Sequence, residues 1–141
     1  MHDIRFIRDT PEAFDAGLSK RSLAPLSASI LALDAEARAV TTQLQELQAR
    51  RNEASKQIGA AKAKKDEAEA QRLMAEVSAI KDDLTAGDLE EKARQKTLFD
   101  ALAAIPNLPA GDVPPGKDEN DNVQIRSNGE TRAPNFPAKE H

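Results

Sequence analysis

The amino-acid sequence predicts an all-α fold. The expected form is a long antiparallel α-hairpin, a two-stranded coiled coil, with a short N-terminal helix before it. An irregular segment holding a short strand is expected after it. Three observations carry this reading. Aromatic residues make up 3% of the 141 and charged residues 31%, a composition of long helices rather than of a thick core. No proline occurs between Pro25 and Pro106. Within that span, apolar residues recur at alternating steps of three and four, the spacing of a coiled-coil seam.

The elements follow in order. Thr10-Pro11-Glu12 reads as an N-cap, a proline at the first helical position and an acid in the first turn. Phe14 and Leu18 then share one helical face, Gly17 weakens the helix, and Pro25 closes the zone. A first long helix is expected over about 26–65. Its seam is Ile30, Leu33, Ala37, Val40, Leu44, Leu47, Arg51, Ala54, Ile58 and Ala61. Arg51 in that seam either pairs with Asp82 or Asp83 across the hairpin or extends its stem outward to water.

A second long helix is expected over about 66–105. Leu73, Val77, Ile80 and Leu84 keep the rhythm, and Leu98, Leu102 and Ile105 restore it. Between them Gly87, Glu91 and Arg94 occupy seam positions, which predicts a bend or frayed packing there. Gly87 alone costs a helix about 1 kcal/mol against Ala. Residues 1–105 thus form one helical unit, and 106–141 a linker segment with six of the eight prolines. In that segment Val123-Gln124-Ile125-Arg126 alternates as a short strand does.

The reversal between the helices is the least marked feature. Lys64-Lys65-Asp66-Glu67 contains neither Gly nor Pro. Periodicity alone also admits one unbroken rod of about 120 Å, which needs a partner chain to cover its stripe. A hairpin covers the stripe internally.

Several chemistries are excluded. There is no cysteine, hence no disulfide framework and no thiolate metal site. The two histidines, His2 and His141, lie at the chain ends, so no Ser–His or Cys–His nucleophile is expected. Asp118, Glu119 and Asp121 resemble a calcium loop but lack its later Gly and terminal Glu, and read as a turn. No catalytic or metal-ligating residue is expected. The N-terminus has no secretory signal, and no run reaches the ~18 apolar residues of a membrane span. The expectation is a soluble cytoplasmic protein.

One chemistry remains. The net charge is −4 with a pI of about 5.3, so the whole chain is not a nucleic-acid binder by charge. Residues 50–65, however, carry Arg50, Arg51, Lys56, Lys62, Lys64 and Lys65 against the single acid Glu53. A rod with a basic end lies along a phosphate backbone without reading bases. The stretch has no aromatic residue, so base stacking is not offered and recognition works by shape and backbone. Arg72 on the returning helix is a weaker candidate. The bland reading is a helix surface laced with ordinary i,i+4 pairs.

Two blocks resemble a known family. The stretch from Arg50 through Ala63, RRNEASKQIGAAKA, is similar to the arm of bacterial-type seryl-tRNA synthetases. So is Ile105-Pro106-Asn107-Leu108-Pro109 followed by residues 113–123, VPPGKDENDNV. The opening Asp3-Ile4-Arg5-Phe6-Ile7-Arg8 with Pro11-Glu12 also fits. One departure is Ser127-Asn128-Gly129, where the family usually has Trp before the Gly.

The resemblance implies an N-terminal α-hairpin that holds the long variable arm and elbow of serine tRNA, largely through backbone. It implies a catalytic domain of the same parent chain beyond residue 141, a homodimeric parent, and ATP and Mg²⁺ as that parent's cofactors. None of those cofactors is expected on residues 1–141, and these residues alone are not expected to be an enzyme. The competing reading is a structural coiled-coil adaptor that binds a partner protein's helix. It predicts no RNA affinity.

Overall fold

The computed structural model describes residues 2–129. Four α-helices follow one another: α1 (Ile4–Asp9), α2 (Pro11–Ser19), α3 (Ser27–Ala63) and α4 (Glu67–Ala104). Helices α3 and α4 pack along their whole length as an antiparallel pair. At 37 and 38 residues, each is about 55–57 Å long. The chain therefore doubles back, and the rod is excluded. Short helices α1 and α2 form a foot at one end of the arm.

The seam is the predicted one. Ile30, Ala37, Val40, Ala54 and Ala61 of α3 are buried, as are Ala70, Leu73, Ile80 and Leu102 of α4. Leu33, Leu44, Leu47, Ile58, Val77 and Leu84 are half-buried between them. Because two helices share only one narrow seam, the small Ala side chains at its outer end let the backbones approach.

The thickest core lies in the foot. Ile7, Phe14 and Leu18 are fully buried and pack with Ile30, Leu102 and Ile105. Gly17, read from sequence only as a weak point, has a packing role. A Cβ there would stand 3.0 Å from Leu108 Cδ2, so the glycine lets the returning linker settle on α2. His2 places its ring edge-on against Phe14 at 5.4 Å and its Nε2 donates to the Pro106 carbonyl at 2.9 Å. Lys20 Nζ donates to the carbonyls of Ala110, Gly111 and Val113, which pins the linker to the end of α2.

Helix α1 is not evident from sequence. Asp3 starts it by accepting from Arg5 N at 2.8 Å, and Arg8 closes a two-pronged bond to the buried Asp34 of α3 at 2.7 and 2.8 Å. Thr10 is not a side-chain N-cap of α2. Its hydroxyl instead donates to the Phe6 carbonyl at the end of α1, because only one residue separates the two helices.

The N-terminus of α3 is capped from a different helix. Asp15 of α2 accepts from the Leu26 and Ser27 amides, both at 3.0 Å, and from the Ser27 hydroxyl. These bonds satisfy otherwise orphaned donors at the positive end of the helix dipole. The Ser27 hydroxyl, followed by the two amides, holds the Asp15 carboxyl below its ordinary range. A carboxylate with a depressed folded-state pKa contributes stability above the unfolded value, about 4. That contribution is lost as pH falls through the lower folded value. The expected result is a melting temperature that falls on acidification below about pH 4. In Asp15→Asn the melting temperature is lower at neutral pH and part of the acid dependence disappears. Thermal melts followed by circular dichroism across pH 2–7 check this.

Two expectations need correcting, and for Arg51 one of two open readings falls away. Among the described residues no strand forms; 123–126 has no regular secondary structure, since no neighbouring strand is present to supply a ladder. The arm does not fray at its polar stretch. Helix α4 runs through Gly87, Glu91 and Arg94, and Thr41 donates to Glu91 at 2.6 Å while Arg94 pairs with Glu36 at 2.5 Å. A methyl group on Gly87 would meet Leu44 Cδ2, so a side chain there requires the Leu44 end to move. Arg51 makes no ion pair among the described residues and sits half-buried. Neither Asp82 nor Asp83 reaches it.

The acidic cluster near residue 118 is a turn, as read. A 3-10 helix spans Glu119–Asp121. Asp118 accepts from Asn120 N and Asp121 from Lys117 N, so their oxygens bind backbone. Pro134 and Pro137 lie outside the described residues.

Candidate nucleic-acid interface

The reversal at the arm's far end is built without glycine. Asp66 N donates to the Ala61 carbonyl at 2.9 Å and Lys65 N to the Lys62 carbonyl at 3.0 Å. This nested pair is a Schellman motif. It requires a left-handed residue, and Lys65 supplies it at φ 57°. Asp66 then caps α4 by accepting from Glu69 N at 3.1 Å, with Glu67 and Glu69 in the first turn. The sequence signal for this start was present but unread: an Asp followed three residues later by Glu, the capping-box spacing.

A lysine in the left-handed region costs about 1–2 kcal/mol that glycine does not. Lys65→Gly is therefore expected to stabilise the chain by about 0.5–1 kcal/mol, after glycine's larger unfolded-state entropy is set against the gain. It also removes a tip charge. A raised melting temperature together with weaker RNA binding is the expected pair of results. Binding that is unchanged while the melt rises would remove Lys65 from the interface.

Apart from the half-buried Arg51, the basic residues divide into two groups. Arg50 pairs with Glu76 across the hairpin at 2.5 and 2.9 Å. Arg72 pairs with Glu69 on its own helix and lies 3.8 Å from Glu76. These bonds, foremost the one from Arg50, hold the Glu76 carboxyl below its ordinary range, and the Arg72 bond does the same for Glu69. Such exposed pairs contribute little to stability, but they occupy both guanidinium groups. Sequence reading missed this for Arg50, because a partner 26 residues away is invisible until the reversal is placed. The local Glu69–Arg72–Glu76 spacing was visible.

Lys56, Lys62, Lys64 and Lys65 form the second group. All four are exposed and none is in an ion pair among the described residues. Lys62, Lys64 and Lys65 cluster at the reversal, where the carbonyl end of α3 also favours positive charge. Lys56 stands about one and a half turns further in, directed away from the seam. No aromatic side chain accompanies them. The tip therefore offers mobile ammonium groups on a stiff support, suited to several phosphates at once and unsuited to stacking bases.

A long helical hairpin whose far half carries exposed lysines, mounted on a small helical foot, defines a class: a helical arm module. Comparison with known proteins gives the family. The seryl-tRNA synthetase N-terminal domain model matches residues 1–109, and the chain belongs to that family. It is 55% identical over its whole length to a serine–tRNA ligase of Parvibaculum lavamentivorans and 56% identical to one of Sphingopyxis alaskensis. It covers 32% and 33% of those two proteins, so it spans about a third of the curated relatives it matches. The crystal structure of a Pyrococcus horikoshii seryl-tRNA synthetase complexed with ATP superposes with a TM-score of 0.80 at 32% identity. That match covers 89% of this chain and 28% of the other. Among the described residues, no helix is long and apolar enough to cross a membrane.

Proposed function

We propose that this chain is the tRNA-binding arm of a seryl-tRNA synthetase. In this reading it holds the long variable arm and elbow of serine tRNA by contacts to phosphate, so that the parent enzyme loads serine. The observation that carries the proposal is the set of exposed lysines, Lys56, Lys62, Lys64 and Lys65, on the far half of an arm about 55 Å long. Arg50, Arg51 and Arg72 are the remaining candidates. Arg50 and Arg72 must exchange a carboxylate partner for a phosphate, which lowers the net gain from each.

Residues 106–141 lead, on this reading, to a catalytic domain of the same parent chain, which supplies the ATP- and Mg²⁺-dependent chemistry. The arm itself is not catalytic, and the parent is a cytoplasmic homodimer. The family match and the serine–tRNA ligases that it resembles over its full length support this placement. The adaptor reading is disfavoured by the seam. Its apolar residues are occupied between α3 and α4, which leaves no continuous stripe for a partner's helix.

A direct test compares serine tRNA with the same tRNA carrying a shortened variable arm, in a binding titration at fixed salt. The shortened form is expected to bind at least about tenfold more weakly, from the loss of several phosphate contacts. Equal affinity for the two would remove the variable arm from the proposal. No affinity for either would favour the adaptor.

A further inference from the structure

We propose that Lys20 is a positioning residue. It clamps the linker to the foot, so that the arm and the catalytic domain proposed beyond residue 141 meet one tRNA at a fixed angle. The inference rests on the tRNA-binding reading above.

A linker that only spans a gap can run free, but this one touches the foot every few residues. The Pro106 carbonyl accepts from His2 Nε2 at 2.9 Å, Leu108 lies over Gly17, and Gly116 N donates to the Lys20 carbonyl at 3.1 Å. Between these points Lys20 Nζ donates to the carbonyls of Ala110 at 3.3 Å, Gly111 at 2.8 Å and Val113 at 3.3 Å. An ammonium group has three donors, and here all three go to the linker. Residue 20 thus holds residues 110–116 with both its side chain and its backbone. The held stretch runs directly into a folded turn. A Cβ on Gly116 would stand 2.7 Å from Asp121 Cβ, and Asp121 accepts from Lys117 N at 2.7 Å.

These bonds do not build the arm. Lys20 is half-buried, lies outside the core cluster of the foot and makes no ion pair among the described residues. Ordering a lysine costs rotamer freedom, and here that order is imposed on a segment outside both long helices. The consequence is geometric. Lys20 directly follows α2, and α2 caps the start of α3 through Asp15. One short path of hydrogen bonds therefore ties the linker to the base of the arm. An arm and a catalytic domain on one tRNA are two linked modules, and the stiffness of the connection sets the effective concentration of the second contact. A clamped linker keeps that concentration high. A freed one lowers it without removing any contact to RNA.

The test is Lys20→Met, which removes the three donors and keeps an unbranched stem. In this chain, protection of the Gly116 amide against hydrogen exchange is expected to fall at least about tenfold, with serine tRNA affinity kept within about twofold. In the full-length parent enzyme, KM for serine tRNA is expected to rise at least about fivefold. There kcat should hold, as should serine-dependent exchange of pyrophosphate into ATP, a step that proceeds without tRNA. Arg21→Met is the control. Arg21 is exposed and makes no ion pair or side-chain hydrogen bond among the described residues, so it removes the same charge beside the same turn and should leave KM as it was. An unchanged KM or an unchanged Gly116 amide in Lys20→Met overturns the clamp, as does a loss of pyrophosphate exchange or an equal rise in KM in the control. Equal loss of affinity in this chain alone also overturns it, because Lys20 would then be an RNA contact. If the unmodified chain binds no serine tRNA, the tRNA-binding proposal fails and the clamp fails with it. If it binds and Lys20→Met keeps its KM in the parent, only the clamp fails.

Discussion

Replacing Lys62, Lys64 and Lys65 together by Ala is expected to weaken serine tRNA binding about tenfold to a hundredfold near 0.1 M salt. The slope of log affinity against log salt should flatten by about two to three. The reasoning is counterion release: each lysine that neutralises a phosphate frees a condensed cation, and three fewer contacts free three fewer. Fold damage is not the cause of the expected loss. All three side chains are exposed, and alanine keeps the left-handed strain at residue 65 about where lysine leaves it. Binding titrations at four or five salt concentrations read both quantities. A lower affinity with an unchanged slope would mean that the variant perturbs something other than phosphate contacts.

The second large effect is on stability. Phe14→Ala is expected to destabilise the chain by about 3–5 kcal/mol, the transfer and cavity cost of a fully buried aromatic ring. Phe14 is 0% exposed and belongs to the cluster where α1, α2, the start of α3 and the end of α4 meet. A module of this size has about 5–15 kcal/mol in total, so the foot is expected to open first. The outer arm has its own seam at Ala54, Ala61, Ala70 and Leu73 and should keep its hydrogen-exchange protection longer. Urea unfolding combined with exchange at single residues checks both parts. Equal loss of protection in foot and tip would show one cooperative unit instead.

How much of this was legible in the sequence depends on the range of the interaction. The seam is a repeating local pattern, and every apolar position read from it is buried or half-buried. The absence of proline over 26–105 and the stop at Pro106 placed the outer ends of the two long helices within one residue of where they are observed. The reversal was not obvious because its left-handed position is filled by Lys65 rather than by glycine. The mark that the sequence does carry is the cap, Asp66 with Glu69, a signal of a start rather than of a break.

Long-range pairs were not legible. The Asp15 cap on α3, the Arg8–Asp34 pair and the Arg50–Glu76 pair join residues between 11 and 26 positions apart. Their registers follow only once the fold is known. Gly87 shows the same limit. From sequence it is a weak helix residue, and only the fold shows Leu44 of the facing helix packed over it. The strand read at Val123–Arg126 failed because alternation marks a strand's faces but supplies no partner.

For the candidate interface, the basic stretch itself was plain from composition. Its division was not. Two of the seven basic residues, Arg50 and Arg72, have carboxylate partners, and four lysines are exposed outside any ion pair among the described residues. Charge density along a sequence therefore overstates what the folded arm offers to phosphate.

Which part of the arm holds RNA is read by mapping which backbone amides shift when serine tRNA is added to the isotope-labelled chain. Perturbations are expected between Arg50 and Arg72, strongest around Lys62 to Lys65, with the foot from Ile4 to Leu18 unaffected. Perturbations centred on the foot, with the reversal unchanged, would contradict the proposed interface.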